Sequence, residues 1–241
     1  MDLSGKAALV TGAGRRLGRE IALGLARAGM AVAVHYRRSR SEAEAVVAEI
    51  HGFAGTAVAV GLDLHEVDQV PGLIDRVTET LGRVHVLVNN ASFFEPAGIA
   101  TTDRGRFARE LAVHVEAPFL LSQRLAARLG PEDEGRIVNL LDWRSLLPDA
   151  DYLGYSVAKG ALYSLTRNLA LALAPRINVN AVAPGAILPA EGTTKIESAE
   201  RLPAGRSGTA RDVVSACLYL IRDADFVTGA VIPVDGGRHL L

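Results

Sequence analysis

At 241 residues the chain fits a single domain, and its 49% hydrophobic and 22% charged content supports a large core and excludes a disordered chain. The formal net charge of -1 leaves no overall cationic field, and the arginines are dispersed rather than gathered in a stripe, so neither a nucleic-acid nor a membrane-surface partner is expected. The one cysteine, Cys217, excludes an internal disulfide and a cysteine-based metal site; lying in an apolar run, it reads as core.

The N-terminal segment lacks the layout of a secretion signal and no apolar run approaches ~18 residues, so no membrane span is expected and the expected location is cytoplasmic. No His/Asp/Glu cluster has metal-ligand spacing. Lysine is scarce: of 26 cationic residues 23 are Arg, leaving only Lys6, Lys159 and Lys195.

Apolar runs of strand length alternate with amphipathic stretches of helix length. Ala7–Thr11 reads as a strand running into glycines. Arg16–Ala28 reads as a helix with Leu17, Ile21, Leu25 and Ala28 on one face, stopped by Gly29. Ala31–His35 is a second strand, and Ser41–Ile50 a helix with Ser41 as N-cap and Glu44 three residues on. Thr56–Val60 is a strand, Val67–Leu81 a helix ending at Gly82, and Val84–Asn89 a strand. Asp103–Leu129 reads as one helix, Gly135–Leu141 as a strand, Tyr152–Ala174 as a long helix and Ile177–Val182 as a strand. Ala210–Arg222 is helical and Ala230–Val234 a last strand. This rhythm predicts a single-domain α/β fold over 1–241, a Rossmann-type, doubly wound, seven-stranded parallel sheet with helices on both faces. The irregular stretch near residues 186–205 looks like an insertion over the sheet's carboxyl edge, where ligands bind in this architecture.

The first strand opens into Thr11-Gly12-Ala13-Gly14-Arg15-Arg16-Leu17-Gly18. Glycines at a strand-to-helix turn let the backbone approach a pyrophosphate, and the helix N-terminus offers free N–H groups; a tight turn needing small residues would look the same. The second strand ends in Tyr36-Arg37-Arg38-Ser39, without the acidic residue that holds an NAD ribose. Arg38 and Ser39, with Arg15 or Arg37 nearby, can instead grip a 2'-phosphate, which predicts NADP(H). Asp63-Leu64 is placed to touch the adenine edge, and Asn90-Ala91-Ser92 to line a cofactor channel.

Tyr155 and Lys159, four apart in a helix, share a face. An ammonium beside a phenol lowers the phenol's pKa and makes it a usable proton donor. In so lysine-poor a chain this pairing carries weight.

Together with Pro184-Gly185 and the closing Asp235-Gly236-Gly237, these motifs make the whole chain resemble the short-chain dehydrogenase/reductase family. The resemblance implies a nicotinamide cofactor, Tyr155 as proton donor, Lys159 holding the nicotinamide ribose, and a dimer or tetramer packed through the long helices, a homotetramer being expected. Three positions depart from the commoner family pattern. Arg16 stands where most members have Gly, Asp142 where most have a catalytic Ser thirteen residues before the Tyr, and His114 where a helix Asn is usual. The first two, with Asn90-Ala91-Ser92 and the terminal Gly-Gly-Arg-His-Leu, look like the pteridine reductase and dihydromonapterin reductase branch.

That branch implies a small-molecule substrate, a pterin or dihydropterin, contacted by Arg16, Ser92, Phe94, Asp142 and Tyr155, with hydride going to the pterin ring and the proton passing through Tyr155 and Asp142. Alternatives stay open residue by residue. Phe94 could be core, Ser92 a small loop residue and Asp142 a loop cap, and Ser145 could take the Ser role. His114 could position a relay water or bond a backbone carbonyl. A carbonyl reductase acting on 3-oxoacyl thioesters is the second expectation. A non-catalytic NADP-binding module is the third, disfavoured because both Tyr155 and Lys159 are present.

Overall fold

The computed structural model describes residues 1–145, 147–189 and 199–241. Seven strands form one sheet: β1 (Ala7–Val10), β2 (Ala31–Tyr36), β3 (Ala57–Gly61), β4 (Val84–Asn89), β5 (Gly135–Leu140), β6 (Ile177–Pro184) and β7 (Val231–Val234). All neighbours pair in parallel, in the order β3-β2-β1-β4-β5-β6-β7. The connections run to one side from β1 and to the other from β4. The switch between these neighbouring strands opens a crevice at their carboxyl ends.

Both faces are covered, which explains strands without a polar side. On β1, Ala8 and Val10 face the layer of α1 (Arg16–Arg27), α2 (Arg40–Gly52) and α7 (Ala210–Leu218). Leu9 faces the opposite layer of α3 (Pro71–Leu81), α5 (Ala117–Arg128) and α6 (Leu153–Leu173). Cys217 is buried in the first layer, as its apolar setting implies. Behind the site a chain of buried side chains ties strands to helix. Asn89 Nδ2 donates to Asn139 Oδ1 (2.8 Å), and Asn139 Nδ2 donates to Thr166 Oγ1 on α6 (2.9 Å). These interior bonds fix where α6 sits against the sheet, while Asn89 Oδ1 has no partner among the described residues.

Four expected elements differ in detail. Helix α2 begins at Arg40 after Ser39, and no capping box forms: the Ser41 hydroxyl donates to Glu42 (2.9 Å) while Glu44 pairs with Arg40 (2.8 Å). The stretch 67–81 is a short 3-10 turn, Val67–Gln69, followed by α3 with Pro71 in its first turn, where a missing N–H costs nothing. The long helix expected at 103–129 is α4 (Arg104–Leu111), a π turn (Ala112–Glu116) and α5. Pro118 supplies the reason, since it cannot donate to the carbonyl four residues back, that of His114, and its ring crowds it. A second π turn, Tyr219–Asp223, closes α7. The capping box that does form, Thr209 with Asp212, lies at the start of α7.

Candidate active site

The turn after β1 is built so that only glycine fits. Gly12 has φ +63°, and a Cβ there would sit 2.9 Å from Ala91 Cα; a Cβ on Gly18 would run into Gly12 O and Asn90 Nδ2. Asn90 sews the end of β4 to this turn: its side-chain amide donates to Thr11 O (2.8 Å) and Gly12 O (3.2 Å). Thr11 Oγ1 accepts the N–H groups of Asn90 and Ala91, both at 2.9 Å.

The other support comes from His35, which nothing in the sequence pattern marks. Gly12 N–H donates to its Nδ1 (3.0 Å), so Nε2 carries the proton and donates to Leu62 O (3.0 Å). Burial pushes this imidazole down to about 4 against the partly opposing bond to Leu62.

Helix α1 starts after the extended residue Arg15 with no side-chain cap and no acidic residue in its first turn. Its leading N–H groups and positive dipole end therefore face the crevice, an arrangement that suits a pyrophosphate. Arg15 and Arg16 are exposed and Leu17 packs half-buried against the core. Arg16 has φ +53°, and its guanidinium donates to Pro189 O at 2.8 Å, spanning from the glycine turn to the chain leaving β6.

At the end of β2, Tyr36 covers Gly61 and Ser39 lies against Gly14. Arg37 and Arg38 are both exposed. Arg37 Nε donates to Asp63 Oδ2 (2.9 Å), and His65 Nδ1 lies 2.8 Å from Asp63 Oδ1, so the Asp63 carboxylate holds its own loop. Arg38 has no ion-pair partner among the described residues, which fits a guanidinium kept for a 2'-phosphate. The Leu64 side chain turns into the core, so only its backbone is left for the adenine contact expected of it.

Tyr155 and Lys159 project from one face of α6, and both are buried. The Tyr155 hydroxyl donates to Asp142 Oδ2 at 3.1 Å. Asp142 has two duties, because its Oδ1 accepts Arg144 N–H (2.8 Å) and so caps the loop after β5. Ser145 does not take the hydroxyl role: its Oγ closes the same turn on Asp142 N (2.9 Å) and Asp142 O (2.6 Å). Lys159 Nζ donates to Leu140 O (2.6 Å) and stands 5.7 Å from the Tyr155 ring centroid.

The expected lowering of the Tyr155 pKa is reversed. Burial, and then the Asp142 carboxylate, hold the phenol well above the usual tyrosine range. Asp142 adjoins the hydroxyl directly, whereas the ammonium is spent on a carbonyl. Burial likewise pulls Lys159 down to about 8, against the opposing charges of Asp142 and Glu110.

On the other side of the phenol, Ser92 Oγ lies 2.9 Å from His114 Nε2, and His114 Nδ1 donates to Glu110 O (3.0 Å). Of the two readings of His114, the backbone-carbonyl bond is the one formed. Phe94 is not core: it is 44% exposed, stacks on Tyr152 (3.9 Å, 3°) and meets Tyr155 edge-on at 4.8 Å. The Arg144 guanidinium stands 5.5 Å from the Phe94 ring centroid. Phe93 is the ring that packs on the core, against His114. Tyr152 and Glu110 escaped the sequence reading, since neither belongs to a spaced motif.

Beyond β6, a Cβ on Gly185 would sit 2.9 Å from Asp235 Cα, which brings the Pro184-Gly185 bend against the closing Asp-Gly-Gly turn. Asp235 holds that turn by accepting from Gly237 N (3.0 Å) and His239 N (2.8 Å). Of the expected substrate loop, residues 190–198 lie outside the described residues. Among the described residues no His/Cys/Asp/Glu group could hold a metal, and no helix is long and apolar enough to cross a membrane.

A family model described as enoyl-(acyl carrier protein) reductase matches residues 12–239. The chain is 34% identical to a 3-oxoacyl-[acyl-carrier-protein] reductase of Synechocystis, with 98% of this chain and 97% of that one aligned. It is 37% identical to an uncharacterized oxidoreductase of Methylorubrum extorquens over 98% of both chains. Among solved structures it superposes on FolM alternative dihydrofolate reductase 1 from Brucella canis, crystallised with NADP, with a TM-score of 0.93 and 35% identity over 100% of this chain and 96% of that one. The glycine cradle, the uncapped helix end, Arg38 without an ion-pair partner among the described residues, and these matches agree: the chain belongs to the short-chain dehydrogenase/reductase family and is an NADP-dependent oxidoreductase.

Proposed function

We propose that the protein reduces a pterin or dihydropterin at the expense of NADPH. The observation that carries this reading is the Asp142 carboxylate, whose Oδ2 lies 3.1 Å from the Tyr155 hydroxyl. Reducing a ketone builds negative charge on oxygen, and a carboxylate beside that oxygen opposes it. Reducing a C=N bond draws on a ring nitrogen that is protonated or becomes so, and the same carboxylate stabilises that positive charge. The similarity to the Brucella canis FolM alternative dihydrofolate reductase supports the same reading.

Bound NADPH supplies the hydride. The chain supplies the rest. Gly12, the N–H groups after Arg15 through Leu17, Asn90, Ala91, Pro184 and Gly185 form the cradle for the pyrophosphate and nicotinamide end, and Arg38 with Ser39 takes the 2'-phosphate. Tyr155 keeps its proton on Oη because burial and Asp142 hold its pKa up, so it stays a loaded donor at neutral pH. Asp142 accepts that proton's hydrogen bond and orients the ring nitrogen that receives it. Phe94 offers an exposed flat ring beside Tyr155 for stacking. Lys159, anchored on Leu140 O, keeps a positive charge beneath the phenol.

A second reading, a 3-oxoacyl thioester reductase, is supported by the 34% identity to the Synechocystis enzyme. NADPH oxidation at 340 nm separates the two. We expect turnover with dihydropterin, its loss by roughly 100-fold in Asp142→Ser, and a gain of ketone reduction in that variant. Wild-type turnover of acetoacetyl thioester with none of dihydropterin would refute the pterin reading.

A further inference from the structure

Helix α4 brings a carboxylate to a place where a buried charge needs a reason. Glu110 is buried against α6, where Gly154, the residue before Tyr155, leaves room for it: a Cβ on Gly154 would lie 3.1 Å from Glu110 Cγ. One turn on, in the π turn, lies the equally buried His114. Glu110 Oε2 stands 3.1 Å from His114 Nδ1. It is off the line of that N–H, which the Glu110 backbone carbonyl accepts at 3.0 Å, and it has no other partner among the described residues. An unpaired carboxylate oxygen beside an imidazole favours positive charge on the ring.

These contacts dictate which way the Ser92 hydroxyl points. In neutral His114 the proton is on Nδ1, because only Glu110 lies there to accept it. Nε2 is then bare and accepts the Ser92 O–H at 2.9 Å. Ser92, which lies within hydrogen-bonding reach of the Tyr155 hydroxyl, thus presents only a lone pair to that phenol, whose ring meets the imidazole edge-on at 5.4 Å. In protonated His114, Nε2–H donates to Ser92, and the hydroxyl proton turns outward to the Tyr155 oxygen. One proton on the imidazole reverses the bond without moving a heavy atom.

We infer that Glu110 and His114 are positioning residues which set the direction of the Ser92 hydroxyl and, through it, whether Tyr155 is held as a phenol or helped as a phenolate. During reduction Tyr155 gives its proton to the substrate. The resulting phenolate takes the Ser92 proton, Ser92 takes the proton on His114 Nε2, and the neutral ring left behind keeps its Nδ1–H on Glu110. Atoms and charge balance: one proton leaves the imidazolium, and, the ring being buried, it is returned through Ser92 after product leaves and before the next turnover. The groups acting on this ring are Glu110 from α4, and Lys159, which opposes its charge, with Tyr155 from α6. Asp142 lies beyond Tyr155, and His65 lies beyond Phe93. Burial, the largest influence, lowers the imidazole, and the Glu110 carboxylate opposes that.

The inference rests on the reductase reading of the site, so its test has a part that needs no substrate. The His114 ring C–H is titrated by NMR, assigned by its loss in His114→Asn. The kcat of NADPH oxidation is followed across pH in the same proteins. We expect Glu110→Gln, nearly isosteric, to move the His114 midpoint down by about one pH unit or more. The decline of kcat as pH rises through that midpoint should move down with it, with KM for NADPH changed less than about twofold, and His114→Asn should abolish that decline.

A midpoint unmoved in Glu110→Gln, or a kcat profile unmoved in both variants, overturns the inference. So does a loss of thermal stability with an unchanged profile, which would mark the pair as structural. If dihydropterin is not turned over, the substrate reading fails alone: the NMR titration stands, and the profile is measured with acetoacetyl thioester.

Discussion

His35 should make the cofactor turn pH-sensitive. The ring is 1% exposed, with bare Nδ1 accepting Gly12 N–H and Nε2–H donating to Leu62 O. Folding therefore requires the neutral ring. The drop from 6.5 to about 4, at 1.36 kcal/mol per unit, is worth about 3 kcal/mol. The sign follows from which state binds the proton. Below pH 6.5 the unfolded chain takes it up and the folded chain does not. The stabilisation is thus whole above about 6.5, is lost as pH falls, and is exhausted near 4.

Between pH 7.5 and 5.5 the expected loss from this one group is about 1.3 kcal/mol. Urea unfolding of the wild type and of His35→Gln, which does not titrate, isolates it from the other histidines. The variant should lose about 1.3 kcal/mol less than the wild type over that interval. The folded ring stays neutral until pH approaches about 4 and keeps the acceptor of Gly12 N–H, so NADPH affinity should not weaken through this group between pH 7.5 and 5.5. Equal losses of stability in the two proteins would refute the assignment of a neutral, turn-holding His35.

Gly18→Ala should be costly, because its Cβ would meet backbone and the Asn90 amide rather than a yielding side chain. Overpacking of this kind costs about 1–3 kcal/mol, or about 2–4 °C of Tm per kcal/mol in thermal unfolding. NADPH affinity measured by fluorescence should fall along with it. Arg38→Ala should weaken NADPH binding about 10- to 100-fold, the worth of a charge-assisted hydrogen bond, and leave NADH binding unchanged. Equal weakening of both cofactors would place the 2'-phosphate elsewhere.

Elements set by hydrophobic period were readable from the chain alone: all seven strands lie where the apolar runs place them, with ends differing by one or two residues. Breaks within helices were harder to see. Pro71 and Pro118 sit inside amphipathic stretches whose period continues through them, and the local geometry changes only because a proline cannot donate. Tyr155, Lys159 and Asp142 were readable because their spacing is a property of the chain, and the structure brings all three together. His35, Glu110 and Tyr152 were not, because their partners are Gly12, His114 and Phe94, on segments that meet only in the fold or across an irregular turn.

The direction of the Tyr155 shift shows why residue identity underdetermines chemistry. Tyrosine and lysine four apart on a helix suggest an ammonium that lowers a phenol. Yet the outcome depends on which charged atom lies nearest the hydroxyl and how much water remains. Here Asp142 Oδ2 is in hydrogen-bond contact with the phenol while Lys159 Nζ is bound to Leu140 O, so desolvation and the carboxylate prevail. A serine at position 142 would leave the ammonium as the nearest charge and favour the phenolate. Under the function proposed above, a carboxylate in place of a neutral hydroxyl would exchange a site suited to an oxyanion for one suited to a cationic ring nitrogen. On the proposed reading Tyr155 and Lys159 would serve either chemistry, and position 142 would decide between them.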